Sequence, residues 1–190
     1  MNKKRLIIGI TGASGIVYGM RLLQVLQDTP IETHLVISQS AQRTLGYELD
    51  VSLDELKALA DTVYPVKDIG AAIASGSFPT LGMVIAPCSV RTMSEIACGT
   101  TTTLLTRAAD VVLKERKKLI LMVRESPLHL GHLRTMTALS EMGAIIAPPV
   151  PAFYNRPASI DDIVNHSVGR LLDLLDIDVD LVQRWGIDVG

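Results

Sequence analysis

The sequence predicts an α/β fold, a three-layer, doubly wound parallel sheet with helices on both faces. Short apolar runs alternate along the chain with stretches of helical periodicity, the pattern left by a parallel sheet wrapped by helices. The runs are nearly continuous in Ile, Val and Leu, as strands covered on both faces must be. A glycine-rich turn leaves the first run and opens a helix, at the strand ends where such sheets bind ligands.

The first strand is Leu6 to Thr11. Lys3, Lys4 and Arg5 ahead of it imitate the start of a signal peptide, but the apolar part falls short of the roughly 7 to 15 residues required. A helix over 15–28 follows, then a second strand, Thr33 to Ser38, and helices over 39–47 and 52–61. The uncharged stretch from Ile69 to Val90 has the length of a membrane span, yet its glycines, prolines and hydroxyls make it a loop leading into a buried strand, Met83 to Pro87. No membrane span is expected. Helices over 89–98 and 103–117 precede the strand Leu119 to Val123, and a helix over 131–142 precedes the strand Ala144 to Ala147. The final helix, 159–175, is the most plainly written. Ser159 caps it with Asp162 three residues on, and Ile160, Ile163, Val164, Val168, Leu171, Leu172 and Leu175 form one apolar stripe. The tail, 176–190, reads as irregular and suited to pack on a neighbouring subunit. With no internal repeat or interior linker, residues 1–190 are expected to form one domain.

Composition narrows the function. The 190 residues carry 18 Lys and Arg against 20 Asp and Glu, a net charge of −2, which lacks the basic field of a nucleic-acid-binding module. Only 20% are charged and 48% are hydrophobic, a balance that calls for buried strands, subunit contacts or both. The two cysteines, Cys88 and Cys98, are too few for a disulfide framework and lack zinc-site spacing, so a reducing, cytoplasmic compartment is expected.

The strongest motif is Gly9-Ile-Thr-Gly12-Ala-Ser-Gly15-Ile-Val-Tyr-Gly19. Such a turn puts backbone N–H groups and a helix amino end against a phosphate. Its glycine spacing is not that of dinucleotide binding, no P-loop lysine follows, and the second strand ends at Ser38 where an acidic ribose ligand is expected. Thr11, Ser14 and Ser38 favour a mononucleotide phosphate and ribityl chain over NAD, the alternative being a tight turn with no ligand. A second strand end, Ala86-Pro87-Cys88-Ser89-Val90-Arg91-Thr92, offers small and hydroxyl residues to a flat ring, with Cys88 either a nucleophile or inert core. At a third, Arg124 and Glu125 form either a catalytic pair or a structural ion pair.

Other residues need weighing. His129 and His132 are three apart, but no third ligand stands at useful spacing, which favours a loop and helix-start role. Asp110 and Lys114 have the spacing of an i,i+4 salt bridge, yet Lys114 borders the stripe of Leu104, Ala108, Val111 and Val112, so its amine can reach a neighbouring cleft. Arg170 borders the final helix's apolar face in the same way. The proline-rich loop from Pro148 to Pro157 can hold Tyr154 as a fixed hydrogen-bond donor, or be a plain connection.

Together these segments resemble the flavin prenyltransferases of the UbiX type, from about Arg5 to Trp185. The likeness rests on Gly-Ile-Thr-Gly-Ala-Ser-Gly15, Glu32 to Ser38, Ser75-Gly-Ser-Phe78, Pro87-Cys-Ser89, Leu105 to Glu115, Arg124-Glu125-Ser-Pro-Leu128 and Pro148 to Pro157. What the resemblance implies is a flavodoxin-like Rossmann fold and a cytoplasmic, metal-independent enzyme built as a dodecamer. It would move a dimethylallyl group from dimethylallyl monophosphate to N5 and C6 of reduced FMN, making prenylated FMN for a UbiD-type decarboxylase. Carried over by residue, the flavin contacts fall on Gly12, Ala13, Ser14, Ser38, Ser89, Val90, Arg91, Thr92 and Arg124. The prenyl phosphate contacts fall on Lys114, Arg124, Tyr154 and Arg170. Glu125 would be the acid/base residue, helped by Ser14, with Lys114 in the catalytic set; Glu48 and Trp185 would lie near the prenyl group. Thr102 stands where the family has an acidic or amide residue and Arg91 where lysine is usual, departures that bear on loop ordering and flavin affinity. Two rival readings are a same-fold flavin-dependent decarboxylase and a non-catalytic FMN-binding accessory subunit of an aromatic acid decarboxylase. The first wants a catalytic histidine, for which His34 inside a strand is poorly placed. The second has no need of Lys114, Arg124 and Arg170.

Overall fold

Six strands form one parallel sheet: β1 (Lys4–Ile10), β2 (Ile31–Ile37), β3 (Thr62–Tyr64), β4 (Gly82–Cys88), β5 (Lys118–Val123) and β6 (Ile145–Ile146). In this computed structural model, which describes residues 4–189, they lie in the order β3-β2-β1-β4-β5-β6. This is the Rossmann order, and without the short edge strand β3 it is the flavodoxin order. The chain reverses direction across the sheet between β1 and β4, which defines a ligand-binding crevice at their carboxyl ends.

Alternation along each strand divides the core. Leu6, Ile8 and Ile10 of β1, Leu35 and Ile37 of β2, Val84 of β4, and Ile120 and Met122 of β5 face helices α1 (Ile16–Gln27), α2 (Gln39–Glu48), α3 (Leu53–Ala58) and α7 (Ile160–Asp173). Ile7, Val36, Met83, Ile85, Leu119 and Leu121 face α4 (Val90–Ala97), α5 (Leu104–Lys114) and the opposite core. Helix α6 (Leu130–Glu141) also covers that side, through Leu139. Every fully buried side chain of this size contributes about 1.5–3 kcal/mol, so burial on both faces is what fixes the strand register. A side chain at Gly19 would run into the Ala86 carbonyl and Ile10, so glycine lets α1 lie directly on the sheet at the crevice.

Several elements differ from expectation. Strand β3 was not expected: Thr62-Val-Tyr64 carries no apolar run and is made by pairing with His34 to Val36. Asp61 explains why the preceding helix stops at Ala58, because its carboxylate accepts from Thr33 N and Oγ1 at 2.8 and 2.9 Å. The helix expected to reach 117 ends at Lys114, and Arg116 turns to a positive φ of 56°. The cap expected on the final helix is present, with Ser159 Oγ accepting from Asp162 N and Asp162 Oδ2 from Ser159 N. The tail is irregular as expected, but within the chain it folds back on its own α7. Leu181 and Val182 pack over Gly169, and Arg184 grips Asp173 through two nitrogens at 3.0 and 2.9 Å. No helix among the described residues is long and apolar enough to cross a membrane.

Candidate functional site

Thr11 ties the tips of β1 and β4 together, and Arg124 ties β5 to β4. The Thr11 hydroxyl donates to the Pro87 carbonyl at 2.7 Å and accepts from Ser89 N at 2.8 Å, while Arg124 N donates to the Cys88 carbonyl at 3.1 Å. Ser38 joins them from β2, its N–H donating to the Ile10 carbonyl. Two of these residues also start helices. Ser38 Oγ caps α2 by accepting from Ala41 N, and Ser89 Oγ caps α4 by accepting from Thr92 N. Gly12 lies against Ser40, where a side chain would collide, and its carbonyl accepts from Thr44 Oγ1 at 3.3 Å. Gly12, Ala13, Ser14, Ser38, Ser89, Val90, Thr92 and Arg124 therefore share one end of the sheet. Arg91 starts α4 too, but its side chain is 85% exposed and pairs with Glu95 at 2.9 Å along its own helix.

The start of α1 departs from the sequence reading. Its free N–H groups, expected to face a phosphate, are held by the Glu48 carboxylate from the end of α2, with Gly15 N and Ile16 N both 2.9 Å from Oε2. Gly15 caps the helix at a φ of 108° and supplies no side chain, so the partner comes from 33 residues away. Desolvation opposes ionisation of Glu48, but the Ser14 hydroxyl, the two backbone donors and the Arg124 charge prevail and hold it below the ordinary carboxylate range. The folded value lies below the unfolded one, so the stabilisation is complete above about pH 4.3 and lost as pH falls through the lowered folded value. Glu48→Gln is expected to cost about 0.5–1 kcal/mol at pH 7, allowing for solvent screening, and the gap should shrink below pH 4. Chemical denaturation at both pH values checks this; a gap that grew with acid would contradict it.

Arg124 and Glu125 are exposed at the β5 tip and, among the described residues, form no salt bridge with each other. Glu125 Oε1 instead accepts from Ser126 N at 3.0 Å. The structural ion pair is thus absent, and the guanidinium charge is felt by Glu48 and Tyr18. Tyr18, which sequence reasoning missed, has its phenol pushed up by burial, with Arg124 opposing. Cys88 is fully buried and its thiol is raised by desolvation, which fits core rather than nucleophile. His34 is buried in the sheet between the Tyr64 hydroxyl at 2.9 Å and Glu32 at 3.0 Å, away from the strand tips.

Two expected phosphate contacts are brought together in one cavity. Tyr154 and Arg170 line a cavity of about 360 Å³ between α7 and the proline loop, with Met122, Pro149, His166 and Leu174. Arg170 pairs with Asp173 at 2.6 Å, and Trp185 from the tail meets the edge of Tyr154 with ring centres 5.7 Å apart. Lys114 is further removed. It ends α5, beside the amino end of β5, whereas Arg124 follows the carboxyl end, so the length of β5, about 20 Å, separates them. The expected Asp110–Lys114 pair is not formed: Asp110 takes Arg107 at 2.8 Å, and Lys114 takes Glu115 beneath the Ser75–Phe78 loop.

The strand-tip residues suit a flavin mononucleotide. Hydroxyls from Ser14, Ser38, Ser40 and Thr92 can serve a ribityl chain, and Arg124, without an ion pair among the described residues, can serve its phosphate. A hydroxyl-lined crevice at the switch point of a parallel sheet suits a flavoprotein, and the Flavoprotein family matches residues 1–172. Within it the chain belongs to the UbiX flavin prenyltransferases. It is 62% identical to flavin prenyltransferase UbiX of Escherichia coli strain K12 over 185 residues, 96% of this chain and 98% of that one. It superposes on the crystal structure of AnUbiX (PadA1) in complex with FMN and dimethylallyl pyrophosphate with a TM-score of 0.96, at 44% identity over 97% of this chain and 98% of the other. A dodecameric FMN-dependent Ubix-like decarboxylase from Escherichia coli O157:H7 gives 0.93, at 48% identity over 95% and 98%.

Proposed function

We propose that this enzyme moves a dimethylallyl group from dimethylallyl monophosphate to N5 and C6 of reduced FMN, in the cytoplasm, and that a UbiD-type decarboxylase receives the product. FMN is here a substrate, and its reduced ring supplies the electron-rich nitrogen and carbon that accept the prenyl group. The observation that carries the reading is the Arg124 cation, without an ion pair among the described residues, at the meeting point of the β1, β4 and β5 tips. Beside it, Gly12, Ala13, Ser14, Ser38, Ser89, Val90 and Thr92 bind the flavin, while Arg91, turned toward Glu95, serves only at the rim.

Breaking the allylic C–O bond builds negative charge on the departing phosphate. A cation about 4 Å away is worth about 4 kcal/mol at an effective dielectric near 20, before desolvation. Arg124, Lys114 and Arg170, with the Tyr154 phenol, supply such charges. Since β5 separates Lys114 from Arg124, one site draws on more than one copy of the chain. The dodecameric relative supports an assembly of this kind. Glu125 then takes the C6 proton during ring closure while the prenyl double bond gains one, so the step conserves both protons and electrons; Ser14 assists.

The test is anaerobic incubation with reduced FMN and dimethylallyl monophosphate, followed by mass analysis of the flavin. A gain of one prenyl unit is expected, also in EDTA. An unchanged flavin, with the diphosphate tried in parallel, would overturn the proposal.

A further inference from the structure

His166 is a buried polar residue on the inner face of α7. It is 7% exposed, its Nδ1 is buried without a hydrogen-bond partner, and it lines the same cavity as Tyr154 and Arg170. Its other nitrogen, Nε2, lies 3.5 Å from the Tyr154 hydroxyl, which lies 3.4 Å from the Gln183 carbonyl. The Tyr154 ring meets both His166 and Trp185 edge to face, with centres 5.7 Å apart in each pair. Of the phenol's two hydrogen-bond partners, the Gln183 carbonyl can only accept and His166 can donate.

The two neutral tautomers are not equivalent here. With the proton on Nδ1, a buried N–H would have no acceptor. With the proton on Nε2, the ring donates to Tyr154 Oη, Tyr154 donates to the Gln183 carbonyl, and only a ring lone pair remains unused. A donor into a phenol oxygen strengthens the phenol's own O–H as a donor. The titratable and charged groups around the ring are Arg170 and Asp173 on its own helix, the neutral Tyr154 phenol on the proline loop and Arg184 on the tail, which pairs with Asp173. Burial and then the Arg170 charge lower the histidine's pKa against the opposing pull of Asp173, which favours the neutral ring.

We propose that His166 is a positioning residue for the prenyl phosphate. Neutral, with its proton on Nε2, it holds Tyr154 so that the phenol proton turns from the Gln183 carbonyl to a phosphate oxygen beside Arg170. This rests on the reading above that Tyr154 and Arg170 hold that phosphate.

Imidazole nitrogen chemical shifts of the assembled FMN-bound enzyme at pH 7 should show the Nε2–H tautomer for His166. His166→Leu should raise the KM for dimethylallyl monophosphate about tenfold, the worth of one hydrogen bond to a charged group, with FMN affinity unchanged. His166→Gln, whose amide can reach the same oxygen, should recover most of that loss. In a Tyr154→Phe background His166→Leu should add nothing. An Nδ1–H tautomer, equal losses in the Leu and Gln variants, or full additivity with Tyr154→Phe would overturn the proposal. If the wild-type enzyme transfers no prenyl group, the functional reading falls separately, and the tautomer alone decides the His166–Tyr154 link.

Discussion

Co-assembly of Lys114→Ala and Arg124→Ala subunits is expected to restore about a quarter of wild-type prenyl transfer, where each variant alone loses about 10²- to 10³-fold. The individual loss follows from removing one fixed positive charge from a developing phosphate anion. The recovery follows from β5, whose length keeps Lys114 and Arg124 apart in any one chain. If a site takes the lysine from one copy and the arginine from another, random mixing gives four combinations, of which one is intact. If Lys114 served its own chain, every mixed site would carry one defect and no activity would return. The experiment needs co-expression or co-refolding with the two chains tagged differently, and flavin content measured beside activity. Recovery absent from verified mixed assemblies would put Lys114 and Arg124 of one site on the same chain and overturn the shared site.

Glu125→Gln is expected to slow ring closure by about 10²- to 10⁴-fold, the usual worth of a placed general base. The side chain stands exposed at the β5 tip with Oε1 accepting from Ser126 N, an interaction glutamine can keep, so the change removes proton transfer and little else. The first bond, from N5 to the prenyl carbon, needs no proton from this residue and should still form. Closure moves a proton without changing composition, so mass does not separate the two stages. The absorption spectrum should, the variant arresting with the ring open. Wild-type spectral progress in Glu125→Gln would assign the proton transfer to another group.

Much of the fold was legible because its signals are local. Continuous apolar runs place β1, β2, β4 and β5 to within a residue or two, since strands buried on both faces have little room for polar side chains. Strand β3 escaped because Thr62, Val63 and Tyr64 are strand only by virtue of lying beside β2. The strand-tip residues were legible for a similar reason: a turn leaving a strand and opening a helix is written in consecutive residues. Glu48 as a cap for α1 was not, because its partners are backbone groups 33 and 32 positions away. Spacing alone misled at Asp110, where Arg107 one turn earlier outcompetes Lys114. His166 drew no notice because a lone histidine in a helical stripe looks like any buried polar residue until its neighbours are known.

The carboxylate lodged at the head of α1 gives this nucleotide fold a built-in occupant. An incoming phosphate finds that berth filled by the protein's own anion, and has to dislodge Glu48 or settle toward the hydroxyls of the neighbouring strands. One side chain from α2 thereby turns a helix start open to an outside anion into one already satisfied from within.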